Sequence, residues 1–137
     1  MKKCLLYFVL VFCPAFLNAQ TVLKTGDFKH YIDEFNQNDI EYYHNFISNN
    51  DSWAFLSKEI PLLDCPDKDL ERTYYFRWWT YRKHIKKTPE GYVITEFLPD
   101  VPWAGKYNTI SCPAAFHFYE GRWLRNDTFL NDYAIFW

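Results

Sequence analysis

Apolar residues recur with a helical period along much of this chain, and the breaks in that period fall at prolines, glycines and short acidic clusters. Over residues 27–36, Phe28, Tyr31, Ile32 and Phe35 share one face, which predicts a short amphipathic helix. Ile40, Tyr43, Phe46 and Ile47 keep the same spacing and predict a second helix over 39–47. Asn49, Asn50 and Asp51 interrupt the pattern, with Asp51 placed to cap a helix over 52–60 that Pro61 ends. The longest helix is predicted over 67–87, with Leu70, Tyr74, Trp78, Tyr81 and Ile85 as its apolar face. Asp67, Asp69 and Glu71 open it and Lys83, Lys86 and Lys87 close it, the order that suits the helix dipole. Thr88, Pro89, Glu90 and Gly91 form its stop, and residues 92–98 read as a strand. Pro99, Pro102 and Gly105 mark a long loop. Residues 114–119 predict a short helix behind Pro113, closed by Gly121, and Asp127 stands to cap a last helix that runs to Trp137. The expected fold is mainly α with a small β-hairpin or strand.

The start of the chain follows a different pattern. Lys2 and Lys3 precede an apolar run from Leu5 to Leu17, followed by Asn18 and Ala19. The run is too short to span a bilayer of about 30 Å as a helix, and Pro14 interrupts it. It predicts a signal peptide over 1–19, cleaved after Ala19, and a secreted or periplasmic protein with no membrane attachment afterwards. The whole chain carries a net charge of −2, and loss of Lys2 and Lys3 makes it more negative. No basic field remains to hold a phosphate backbone, so nucleic acid is not an expected partner. Cys65 and Cys112 remain after cleavage, and either a single bridge or two free thiols fits the sequence.

Aromatic residues make up 22% of the chain, which raises three uses for them. They fill cores, anchor interfaces and stack on the C–H faces of sugar rings. The densest stretch, residues 97–124, mixes Trp, Tyr and Phe with Lys, Asn, His, Glu and Arg. A sugar site needs that mixture of flat apolar faces and directional hydrogen-bonding groups. His117 and Glu120 share a helical spacing near Cys112, but no paired Cys-x-x-Cys accompanies them, so neither a metal nor another cofactor is predicted.

Four blocks in order, Arg77–His84, Val93–Pro99, Pro102–Asn108 and Tyr119–Leu124, resemble the opening of bacterial six-hairpin (α/α)6 glycosidases. The resemblance is to the mannosylglycerate-hydrolase-like group, related to glycoside hydrolase family 63 and the trehalases, and spans residues 67–137. With the helices read before it making residues 20–66 an N-terminal helical segment, the resemblance implies that 67–137 begin a truncated toroidal glycosidase domain. It further implies that Glu120, Arg122 and Trp123 line the innermost sugar subsite, with Trp103, Lys106 and Tyr107 on a neighbouring wall. The family reaction is inverting hydrolysis of an O-glycosidic bond by two carboxyl groups about 6.5–9.5 Å apart. No acid–base pair stands out in this chain. Twelve helices of about 11–12 residues need roughly 130–145 residues before any connection, more than residues 20–137 offer. Hydrolysis by this polypeptide alone is therefore not expected, and its abrupt apolar end at Ala134-Ile135-Phe136-Trp137 fits a fragment. The expected partner is an oligosaccharide or glycoside. The alternative is a complete small exported module that binds carbohydrate or another protein.

Overall fold

A computed structural model describes residues 23–137, and the signal-peptide expectation lies outside those residues. The chain begins with a 3-10 turn, Thr25–Phe28, that leads into α1 (Lys29–Gln37). It continues through α2 (Ser52–Glu59), α3 (Lys68–His84), β1 (Ile85–Thr88), β2 (Gly91–Ile94), α4 (Ser111–Gly121) and α5 (Thr128–Phe136). The protein is mainly helical with a two-stranded antiparallel sheet. Among the described residues no helix is long and apolar enough to cross a membrane.

α1 buries Tyr31, Ile32 and Phe35, the face that its periodicity marked. Those rings meet α3, where Tyr31 stacks on Tyr75 at 5.3 Å and Phe35 lies 5.7 Å from Trp79. Asp67 caps α3 by accepting from the Asp69 and Leu70 N–H groups, each at 3.1 Å, which satisfies two donors that the first turn leaves open.

α3 buries Trp78 and Tyr81 of its expected face but not its first position. Leu70 is 57% exposed, whereas Glu71, Tyr75, Trp78 and Arg82 are buried. Trp78 and Tyr81 of the expected face are buried with them, so the buried surface is broader than expected, and its added side takes in one acid and one base. The apolar count alone could not reveal this, because both charges take partners from other segments. Glu71 accepts from Tyr31 Oη at 2.7 Å, the Cys65 N–H at 2.6 Å and Lys68 Nζ at 3.0 Å. Burial pushes its carboxyl up, but these hydrogen bonds and the Lys68 charge outweigh it and hold the group down at about 2.

The helix expected over 39–47 does not form. Glu41 adopts a left-handed backbone, φ 49°, and the segment is held from outside by side chains. Arg82 Nη1 donates to the Ile47 carbonyl at 2.6 Å and its Nη2 to Asn49 Oδ1, while Lys83 reaches Asp39. Ile40, Tyr42, Tyr43 and Phe46 consequently stay exposed.

The long helix also ends before its expected limit. Residues 85–88 turn into β1 and pair with β2, Ile85 opposite Ile94 and Thr88 opposite Gly91. The Pro89-Glu90 turn makes this possible, since Thr88 Oγ1 donates to the Gly91 carbonyl at 2.8 Å. Gly91, at φ 114°, lies against α5, whose Asp132 accepts the Tyr92 N–H at 3.0 Å.

Neither Asp51 nor Asp127 caps its helix with its side chain. Asn126 Oδ1 takes the Thr128 N–H instead, at 3.1 Å. Cys65 and Cys112 are both free thiols, the first half-buried and the second exposed.

Candidate functional site

A cavity of about 510 Å3 opens between α3, the end of β2 and α4, within the range of small-ligand sites. α3 supplies Arg77 and His84 one face apart from its buried stripe. α4 supplies Phe116, His117 and Glu120, and the segment after β2 supplies Thr95 and Glu96. Gly121 of α4 leaves room for the end of the Tyr81 side chain of α3 and for Leu130 of α5. A Cβ there would lie 2.9 Å from Leu130 Cδ2 and 3.0 Å from Tyr81 Cζ. The expectation that Gly121 closes the helix therefore needs a different reason: its place is set by close approach rather than by a left-handed turn. Tyr81 Oη beneath it donates to the His117 carbonyl at 2.9 Å.

The polar groups of the cavity hold one another in place. Arg77 Nε donates to Glu120 Oε1 at 3.2 Å and Nη2 to Oε2 at 2.6 Å, a two-pronged ion pair. His117 bridges two elements, its Nε2 3.1 Å from Glu96 Oε2 and its Nδ1 3.1 Å from Tyr133 Oη on α5. A carboxylate only accepts, so Nε2 carries the proton and the tyrosine hydroxyl donates to Nδ1 when the ring is neutral. His84 Nδ1 lies 2.8 Å from the Thr95 carbonyl and must donate to it. Burial holds the His84 imidazole below its ordinary range, with the neighbouring His117 and Arg77 acting the same way against the Thr95 hydrogen bond. The ring is thus neutral at pH 7 with an unprotonated Nε2, an acceptor for a ligand hydroxyl.

The residues singled out in the sequence do not all meet here. Glu120 lines the cavity. Trp123 lines the adjoining groove, which Glu120 also lines, and Arg122 stacks on Tyr119 and Trp123. Trp103, 65% exposed, packs edge-on against Phe97. Lys106 is paired with Glu90, and Tyr107 lies 6.1 Å from Phe136. None of these last three lines the cavity. Arg77, His84, Glu96, Phe116 and His117 were not singled out for the site. Arg77 and His84 were legible only as members of a resembling block, since their joint use depends on α4 folding back over α3.

Asn108 organises the loop that carries Trp103 and Lys106. From a left-handed backbone, φ 65°, its Nδ2 donates to the Phe97 and Pro99 carbonyls at 2.7 and 2.9 Å, and its Oδ1 accepts the Val101 N–H at 3.0 Å. Among the described residues no group of three or more His, Cys, Asp or Glu is placed to hold a metal ion.

Neither a protein-family profile nor a curated protein matches the chain. A solved structure does. It is described as a sialidase. The likeness has a TM-score of 0.81 at 43% sequence identity and covers 84% of this chain. The chain spans only 11% of that sialidase's length. At the level of sequence and fold together, this chain resembles a short part of a glycosidase.

Proposed function

We propose that this chain is the sugar-contacting part of an exported glycoside hydrolase, and that its cavity holds one sugar ring of the glycoside. The observation that carries this reading is the cavity's composition. Phe76 and Phe116 offer apolar faces, while Arg77, Thr80, His84, Glu96, His117 and Glu120 offer donors and acceptors around them. The 43% identity to a sialidase supports a glycoside ligand and puts sialic acid glycosides first among substrates to try. Glu96 is held by His117 and Glu120 by Arg77, so both position the ring rather than act as acid and base. In this reading the catalytic carboxyl groups lie outside residues 23–137, and the six-hairpin architecture and inverting course follow from the resemblance of the four sequence blocks. Export rests on the pattern of residues 1–19.

The test is titration of the full chain with N-acetylneuraminic acid, mannose and glucose, followed by backbone chemical shifts. The expected result is saturable shifts at Thr95, Phe116 and His117 for at least one sugar, at least tenfold weaker in His84→Ala, with no hydrolysis of an aryl glycoside. Absence of any shift at those residues for every sugar would overturn the proposal.

A further inference from the structure

The charges around the cavity do not cancel. Besides its histidines, the charged residues of the lining are Arg77 on α3, Glu96 after β2 and Glu120 on α4. Arg77 and Glu120 neutralise one another through their two-pronged pair, with Nε 3.2 Å from Oε1 and Nη2 2.6 Å from Oε2. Glu96 pairs with no lysine or arginine among the described residues. Its Oε2 meets Nε2 of His117 at 3.1 Å, and a neutral imidazole donates to a carboxylate without cancelling its charge. One negative charge is therefore left over, and it belongs to Glu96.

The hydrogen-bonding capacity that remains points the same way. Glu96 Oε1 takes no donor among the described residues. His84, whose Nδ1 proton goes to the Thr95 carbonyl, presents an acceptor at Nε2. The Thr80 hydroxyl faces the Phe76 and Arg77 carbonyls of its own helix at 3.1 and 2.8 Å, which occupies its proton and leaves its lone pairs. Against these acceptors stand the remaining N–H groups of Arg77 at Nη1 and Nη2. A sugar hydroxyl suits both kinds, because it donates and accepts. A carboxylate only accepts. It would have to share the Arg77 guanidinium with Glu120, and it would set a second uncompensated charge beside that of Glu96.

We propose that the cavity selects an uncharged sugar ring over an acidic one, and that Glu96 sets this choice. The proposal rests on the reading that the cavity holds a sugar ring, and narrows it. In a sialic acid glycoside, the ring for this cavity is then the uncharged sugar across the glycosidic bond, and the acidic ring lies outside it.

The experiment titrates the full chain at pH 8, above the ordinary imidazole range, and follows backbone chemical shifts. The ligands are glucose, mannose and two matched pairs: glucuronic acid with glucuronamide, and N-acetylneuraminic acid with its carboxamide. The members of a pair share their ring and differ by one negative charge. At least one amide should bind, and about tenfold or more tightly than its acid, the effect of one like charge a few ångströms away near a protein surface. Glu96→Gln keeps an acceptor for His117 and removes the charge, so it should largely close that gap. An acid that binds as tightly as its amide, or a gap that survives Glu96→Gln, would overturn the inference and leave sugar binding standing. So would binding of glucose or mannose with neither amide, which makes shape rather than charge the selector. No shift at Thr95, Phe116 or His117 with any ligand would overturn both.

Discussion

Glu71 and Arg82 lie about three helical turns apart on α3, and each fixes a different non-helical segment. Glu71 draws in Tyr31 and the Cys65 backbone, and Arg82 draws in Ile47 and Asn49. With a folded carboxyl at about 2 against an ordinary 4.5, the contribution of Glu71 is fully present above pH 4.5 and is lost as the pH falls toward 2. Urea unfolding across that window should therefore show a steep loss of stability. In Glu71→Gln the loss should be shallower, with about 1–3 kcal/mol already missing at pH 7. Parallel curves for the two proteins would contradict this assignment. Arg82 is fully buried, and burial lowers its guanidinium to about 10, so it remains charged at neutral pH. Its removal in Arg82→Ala leaves the Ile47 carbonyl and Asn49 Oδ1 without their donor and should cost about 1–3 kcal/mol for each by denaturant unfolding. Arg82→Lys should recover only part of that, because one ammonium cannot serve both Ile47 and Asn49 while lying over Trp79 as the guanidinium does, 5.2 Å from the ring. Full recovery by lysine would mean that charge alone matters at this position.

At the scale of elements, the contact of α4 with α3 decides the cavity. Gly121 lies against the end of the Tyr81 side chain, whose hydroxyl donates to the His117 carbonyl. Gly121→Ala should cost about 1–3 kcal/mol in stability and weaken any sugar binding, because His117 and Glu120 ride on the displaced helix. Much of the stability loss should vanish in the Tyr81→Phe background, where the hydroxyl that the new methyl meets is gone. A double-mutant cycle with no coupling would rule out this contact as the cause. The loop after β2 behaves similarly around one residue. Asn108→Ala removes three hydrogen bonds to Phe97, Pro99 and Val101. It should lower stability by about 1–3 kcal/mol and speed amide exchange over 97–108; unchanged exchange there would show that the loop is held by its prolines and packing instead.

For the whole molecule, one buried set joins Phe28, Tyr31 and Phe35 with Tyr75, Trp79, Val93 and Tyr133. Helices before residue 66 and elements after it thus share a core. Unfolding should be a single transition, with helix content and tryptophan fluorescence falling together. Two separated transitions would show that 20–66 and 67–137 fold independently. The same scale explains the aromatic excess. Tyr75, Trp78, Trp79, Tyr81 and Tyr133 are core, while Trp103, Tyr119 and Trp123 face outward, so composition alone could not assign a ring to packing or to recognition.

Local sequence determined what local physics controls. The amphipathic face of α1, the Asp67 cap, the stop at Pro61 and the mainly helical class all depend on residues a few positions apart, where side-chain period and backbone restriction act directly. Tertiary structure decided the rest. It unwound 39–47 by giving Arg82 and Lys83 partners there, turned 85–88 into a strand through pairing with 91–94, and widened the buried face of α3 to take in Glu71 and Arg82 beside Trp78 and Tyr81. It also chose the members of the cavity, because Arg77, His84, Glu96, His117 and Glu120 converge only when α4 folds over α3. Those outcomes turn on hydrogen bonds and contacts between distant segments, whose energies no local pattern of apolar and polar positions encodes.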